Sequence, residues 1–385
     1  MKSFVVYTKE IDNIDGAVTD ISKQITDLGG IPQNSVGVIL CHYEFIFSGV
    51  MSAVCKSLTF PIVGTITSTQ GINNNVAEMF VLSVLIFSGD DITIKTGLTD
   101  SLTENPYQKI KDKYLDIAIP GKKPALILSY AGFMTMNSGD EYVRTISEVS
   151  GGAPVFGTLA VDDTTDFSCC FMIYNGDHYI DRMGLILIYG DIHPEFYTAI
   201  ISPEKIFPNT ALITSATGHI MKEVNNRPVT EFFAELNLTT ATQTPYAMTS
   251  LPLVLDFNDG TPMVARMFIS LTPNNEALCA ADMTEGSTLY IGITEKADVL
   301  HTTTEVIKKA LAANKKPSII FAYSCIARNM TLDGDMYAEI NAIQKIIGDV
   351  PMFLGYSGGE ICPTQVKNNE SINRFHNSTF ILCVI

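Results

Sequence analysis

A repeat constrains this chain more than any other feature. Lys123 to Tyr130 (KPALILSY) matches Lys316 to Tyr323 (KPSIIFAY) position for position, and each run then passes through a polar loop into Gly-Asp-x-Tyr, at Gly139 to Tyr142 and Gly334 to Tyr337. A helix-period stretch follows in both: Val143, Ile146 and Val149 recur at three residues, and Met336, Ile340, Ile343 and Ile347 at three or four, which lines up one apolar face. Each copy closes on a second apolar run, Pro154 to Gly157 and Pro351 to Gly355. Both therefore read strand, loop, helix, strand, with runs apolar enough to be covered on both faces. A looser third copy starts at Val36 to Leu40, passes a helical stretch around Val50 to Leu58 and reaches Phe60 to Gly64. Further strand-like segments lie at Met79 to Phe87, Met183 to Ile188 and Phe380 to Ile385. The expectation is an α/β (mixed α+β) protein of two related lobes, built from duplicated strand–helix–strand units, with sheets flanked by helices.

At 385 residues the chain exceeds one compact domain, and the pattern lapses into Pro-bearing, polar sequence between Ile192 and Ile220. A boundary near residue 200 divides it into 1–200 and 201–385. Asp298 reads as the N-cap of a later helix. The net charge of -16 opposes nucleic acid and anionic membranes, which reward clustered Lys and Arg. The apolar runs are strand-sized, well short of the roughly 20 residues a membrane helix needs, and Met1 to Glu10 lacks the plan of a signal peptide. A cytoplasmic protein is expected. The eight cysteines form no CxxC, the histidines no HExxH, and no phosphate-cradling glycine motif follows a strand. Neither metal nor cofactor is expected.

Ligands commonly bind where strands end. Three segments stand there: Ser324 to Arg328, Gly355 to Pro363, and Phe375 to Thr379. Candidate ligand-binding residues are Cys325, Arg328, Tyr356, Gly358, Gly359, Glu360, His376 and Asn377. Arg328 offers a fork for a carboxylate, each charge-assisted bond worth about 1.5–3 kcal/mol. Glu360 suits an ammonium, and the glycine pair lets a ligand approach the backbone. Against this, Arg328 and Glu360 pairing with each other would only lock the fold, Tyr356 would be a core aromatic, and His376 with Asn377 would bridge backbone groups.

The order Phe-Ala-Tyr-Ser-Cys-x-x-Arg (Phe321 to Arg328), then Pro351 to Pro363, then Phe375 to Thr379, resembles the C-terminal domain of the FIST family. Phe60 to Thr65 and Gly151 to Gly157 with Ala160 to Asp162 resemble its N-terminal domain, although Gly64 to Gly71 departs from the family's usual Gly-Cys-Ser-Thr-x-Gly-Glu turn. Leu212 to Gly218 with Val224 to Pro228 resembles the start of the C-terminal domain. The resemblance implies FIST N-terminal and C-terminal domains in 1–200 and 201–385. It also implies a sensory module of signal transduction that binds small ligands such as amino acids, elsewhere fused to output segments not seen in these residues. A small-molecule ligand, an amino acid or other small carboxylate, and a separate downstream signalling protein are the expected partners.

Two other functions compete. An interaction scaffold would use an exposed surface rather than a cleft. An acyl-transfer enzyme would use Cys325 as nucleophile and His376 as base, the thiol's pKa lowered beside Arg328. A thiol ending an apolar strand is the mark of packing, so binding without catalysis is the expectation. The acid pairs Asp162–Asp163 and Asp333–Asp335 read as solvated surface.

Overall fold

The computed structural model describes residues 1–133, 138–164, 166–238, 248–314, 316–365 and 371–385. Its architecture is mixed α/β, and the strand–helix–strand duplication is present three times. In the first module, strand Ser35–Cys41 is followed by helix Val50–Ser57 and the parallel strand Ile62–Ile66. Leu82–Ser88 lies antiparallel on the far side of Ser35–Cys41, and Lys2–Thr8 lies outside that. The second module repeats this order with Leu126–Ala131, helix Gly139–Val149, Val155–Leu159, Met183–Gly190 and Ile92–Leu98. The third repeats it with Ile320–Cys325, helix Ala338–Ile347, Met352–Ser357, Phe380–Val384 and Glu195–Ala199. That last strand lies within 192–220, expected to be connection only. It belongs to the third module, and the sequence returns to that module after residue 291.

Each module also carries a hairpin, and none keeps its own. Gln70–Ile72 of the first hairpin pairs with Met352–Ser357 of the third module. Met172–Tyr174 of the second pairs with Ile62–Ile66 of the first, and Gly359–Gln365 of the third pairs with Val155–Leu159 of the second. Every sheet is completed by the next module's hairpin, so the three interlock in a ring.

Alternation along the strands sorts side chains between two layers. One face of each sheet points to a shared axial core, where Val38, Leu128 and Phe321 meet Val63, Phe156 and Phe353. The other faces lie under helices and form three outer cores. Aromatic rings fill the axis: Tyr323 stacks on Phe156 at 5.7 Å between centroids and its hydroxyl lies 3.3 Å from that of Tyr130. This continuous two-sided burial explains the unbroken apolar runs.

Between strand Glu195–Ala199 and helix Lys296–Ala313 the third module is interrupted by an antiparallel sheet, Ala211–Thr217 to Thr288–Ile291, with its own core under helix Val229–Glu235. The buried Arg266 ties this insert to the second module: Nη2 bonds Asp140 Oδ1 at 3.0 Å and Nη1 bonds the Phe375 carbonyl at 2.8 Å. Helix Lys296–Ala313 is capped by Glu295, not by Asp298. Asp298 sits at the third helical position and accepts from Glu295 N at 3.0 Å, the reciprocal half of a capping box. Among the described residues, no helix is long and apolar enough to cross a membrane.

Candidate functional site

The axial core is apolar along its length and polar at one end. Following the two-residue alternation from axial side chains, Tyr323 leads to Cys325, Phe353 to Ser357, Phe156 to Thr158, and Cys362 back to Glu360. These are the carboxyl ends of the parallel strands of the second and third modules, together with the hairpin that joins them. The first module reaches the same place, because Thr67 Oγ1 donates to the Tyr356 carbonyl at 2.8 Å and Tyr356 N donates to the Thr69 carbonyl at 3.3 Å. The polar end is thus built where all three modules converge.

Glu360 is its centre. The side chain is fully buried, and neither carboxylate oxygen has a partner at hydrogen-bonding geometry. The Ser357 hydroxyl, the Cys325 thiol and the Thr379 backbone N–H face it, and with the more distant Arg328 charge they favour its ionised form. Burial outweighs all four and holds its pKa well above the usual carboxylate range. Ser357 is itself engaged, accepting from Thr158 Oγ1 at 2.5 Å and from Gly359 N at 3.0 Å.

His376 stands directly across the hairpin from Glu360, so the two side chains share a face. Its Nε2 lies 3.3 Å from the Cys362 carbonyl and its Nδ1 has no partner. Burial, with the Arg266 charge nearby, pushes the imidazole pKa down to about 3, so the ring is neutral. Asn377 Oδ1 and Ser378 Oγ are also buried without partners. Ser378 has φ of 47°, the left-handed turn that leads into the last strand.

Cys325 ends its strand with its N–H bonded to the Thr379 carbonyl at 3.0 Å. Its thiol pKa is pushed up by burial and then by the Glu360 charge, the reverse of the activation a nucleophile needs. No hydrogen bond joins it to His376.

Arg328 belongs to a different cluster. It pairs with Glu339, not with Glu360 and not with an open site: Nε and Nη2 reach Glu339 Oε1 at 3.2 and 3.0 Å. Nη1 bonds the Ile200 carbonyl, and Nη2 also meets Thr303 Oγ1 at 2.7 Å. The fork expected to take a carboxylate is filled from within. Glu339 further accepts from Ser324 Oγ at 2.7 Å and from Tyr356 Oη at 3.1 Å, which makes Tyr356 a buried strut of this network. The glycines are tight for packing reasons. A β-carbon on Gly358 would come within 2.5 Å of the Ala160 carbonyl, and one on Gly359 would enter the Phe375 ring.

Of the eight expected residues, the structure gathers Cys325, Glu360 and His376 around one buried carboxylate, sets Asn377 beside them in sequence, and places Arg328 and Tyr356 behind on Glu339. The sequence reading missed Glu339, Thr158 and Ser357. Glu339 carries a legible signal, since a charge adjoining Ile340 and four residues before Ile343 falls on the helix's apolar face. Of the pair Asp162–Asp163, only Asp162 departs from solvated surface: it is buried and holds its own turn through Thr164 N and Cys169 N, while Asp163 is exposed and meets His42 Nε2 at 3.1 Å. Among the described residues no cluster of His, Cys, Asp and Glu has the geometry to hold a metal ion.

The sequence matches the FIST N domain over residues 35–227 and the FIST C domain over residues 230–363. No curated protein matches the chain. Among solved structures it is similar to a cyanuric acid hydrolase from A. caulinodans, at 8% identity and a TM-score of 0.37 over 99% of this chain and 97% of that one. It is also similar to phosphoribosylformylglycinamidine synthase II from Thermotoga maritima, at 12% identity and a TM-score of 0.20 over 100% of this chain and 72% of that one. At such scores neither likeness bears on function.

Proposed function

The chain belongs to the FIST family, and on that premise we propose that it is a small-molecule-binding sensory protein of signal transduction whose ligand is anchored on Glu360. One observation carries the reading: a fully buried carboxylate faced by the Ser357 hydroxyl, the Cys325 thiol and the Thr379 N–H, yet with neither oxygen at hydrogen-bonding geometry to a partner, and flanked by an unpartnered imidazole nitrogen. An unsatisfied buried polar group costs about 1–3 kcal/mol, more when charged. A ligand that brings N–H donors to Glu360 removes that cost, which couples occupancy to the stability of the whole ring.

The charge balance selects the ligand's end. Burial favours the proton on Glu360, and an ammonium brought against it favours the ionised form instead, whereas with Arg328 neutralised by Glu339 a ligand that is only a carboxylate finds no free cation there. An amino acid presenting its ammonium is the favoured candidate, and the small-carboxylate alternative loses its support. Binding without turnover fits a thiol whose pKa is raised and an imidazole that bonds a carbonyl instead of the thiol.

A thermal-shift panel of amino acids, matched amines and matched carboxylates tests this, with each mixture then assayed by mass spectrometry for consumption of the compound. A ligand at 100 times its Kd adds about 2.7 kcal/mol of stability. Stabilisation by ammonium-bearing compounds is expected, abolished for simple amines and reduced for amino acids in Glu360→Gln. A product formed by the wild type would overturn the reading in favour of catalysis, and a stable protein partner with no small-molecule effect would favour a scaffold.

A further inference from the structure

A cavity lies where the antiparallel insert meets the second module. It encloses about 540 Å³, and its walls come from three directions: Phe257, Asp259 and Asp282 from the insert, Arg144 from helix Gly139–Val149, and Arg374 from the third module's hairpin. None of these residues belongs to the Glu360 cluster.

Its chemistry is that of paired opposite charges, one pair of them loose. Arg144 Nη1 and Asp282 Oδ2 face each other at 3.6 Å, too long for a hydrogen bond. Arg374 pairs with Asp259 and lies over the Phe257 ring, its guanidinium carbon 4.4 Å from the centroid. Two buried polar atoms of this set have no partner, the donor Arg374 Nε and the acceptor Asp282 Oδ1. Asp140 also lines the cavity and is matched by Arg266 behind it. Carboxylates Asp140, Asp259 and Asp282 are therefore balanced by guanidiniums Arg144, Arg266 and Arg374. An entering anion or cation would leave one charge of this balanced set uncompensated, whereas a ligand carrying both signs preserves the balance.

We propose that this cleft is a second binding site, for a small zwitterion whose anionic group meets Arg374 and Arg144 and whose ammonium meets Asp282 and Asp259. Bound there, it bridges the insert to the body of the ring. The site shares no residue with the Glu360 cluster, so variants can test each separately.

Isothermal titration of the full chain with alanine, and with ethylamine and propionate as its single-charge fragments at matched ionic strength, reads the site directly. In the Glu360→Gln background, saturable alanine binding is expected to persist, with at least tenfold weaker binding of either fragment. Arg374→Gln and Asp282→Asn should each weaken alanine at least tenfold. Arg144→Gln, at a side chain 66% exposed and so safe for folding, should weaken it severalfold. The proposal is overturned if alanine does not bind in the Glu360→Gln background, if propionate or ethylamine binds as well as alanine, or if folded Arg144→Gln and Arg374→Gln both bind as the parent does.

Discussion

Arg328 and Glu339 form an ion pair with side chains 2% and 0% exposed, Nη2 and Oε1 3.0 Å apart. The pair joins the short helix after one central strand to the helix before the other, and Ser324, Thr303 and Tyr356 complete its bonds. Removing one partner strands a buried charge. Arg328→Ala should therefore lose about 3–5 kcal/mol of stability by urea unfolding, in the absence of any ligand. A variant that unfolds like the wild type but fails to bind would place Arg328 in the ligand site after all.

Glu360 predicts a pH dependence of definite sign. The unfolded carboxyl titrates at about 4.3 and the folded one well above its usual range because of burial. Between those values the native state holds a proton that the unfolded state lacks, so stability present below about pH 4.3 is lost as pH rises through the folded pKa. Glu360→Gln should be more stable than wild type at pH 8 and indistinguishable near pH 4, measured by urea midpoints across that range. Equal slopes for the two proteins would contradict the assignment.

His376 acts in the opposite direction. Its folded pKa of about 3 lies below the unfolded value of about 6.5, so from one to the other the unfolded state binds the extra proton. Stability complete above pH 6.5 declines as pH falls towards 3, at up to about 1.4 kcal/mol per pH unit. His376→Gln should flatten this acid limb of the stability curve. Unchanged acid unfolding would mean the imidazole is protonated in the fold.

Thiol chemistry separates binding from catalysis. All eight cysteines are free, and seven are buried; only Cys169 is partly exposed. Brief alkylation of the native protein should label Cys169 first and leave Cys325 intact, as read by peptide mass spectrometry. Cys325→Ala should bind the ammonium ligand within about tenfold, roughly 1.4 kcal/mol. Rapid labelling of Cys325 in the fold would instead indicate an accessible, ionised thiol.

The repeated units were legible because each puts the same residue types on the same axis. Tyr130 and Tyr323 occupy matching positions in the two copies and touch hydroxyl to hydroxyl. The exchange of hairpins was not legible. Gly359–Gln365 would satisfy its backbone bonds on any open strand edge, and which edge it takes is decided by where the chain closes. Glu360 was singled out for its charge, and its burial on the axial face follows from the register with Thr158, 202 positions earlier in sequence. The partner of Arg328 was misread for a related reason. Glu339 approaches it across the helix–sheet layer, a direction that spacing along the chain does not report.

The interlocked hairpins also set a timetable for synthesis. The second module's sheet, made from residues 92–190, lacks its outer two strands until Gly359–Gln365 and Ser371–His376 arrive, and the third module's lacks a strand unless the first module has already supplied Gln70–Ile72. A nascent chain on the ribosome therefore carries an unfinished sheet edge for most of its translation, the kind of edge that recruits stray strands. Strands Gly359–Gln365 and Ser371–His376 act as a clasp, and a chain stopped before them leaves the second module's sheet as an open necklace.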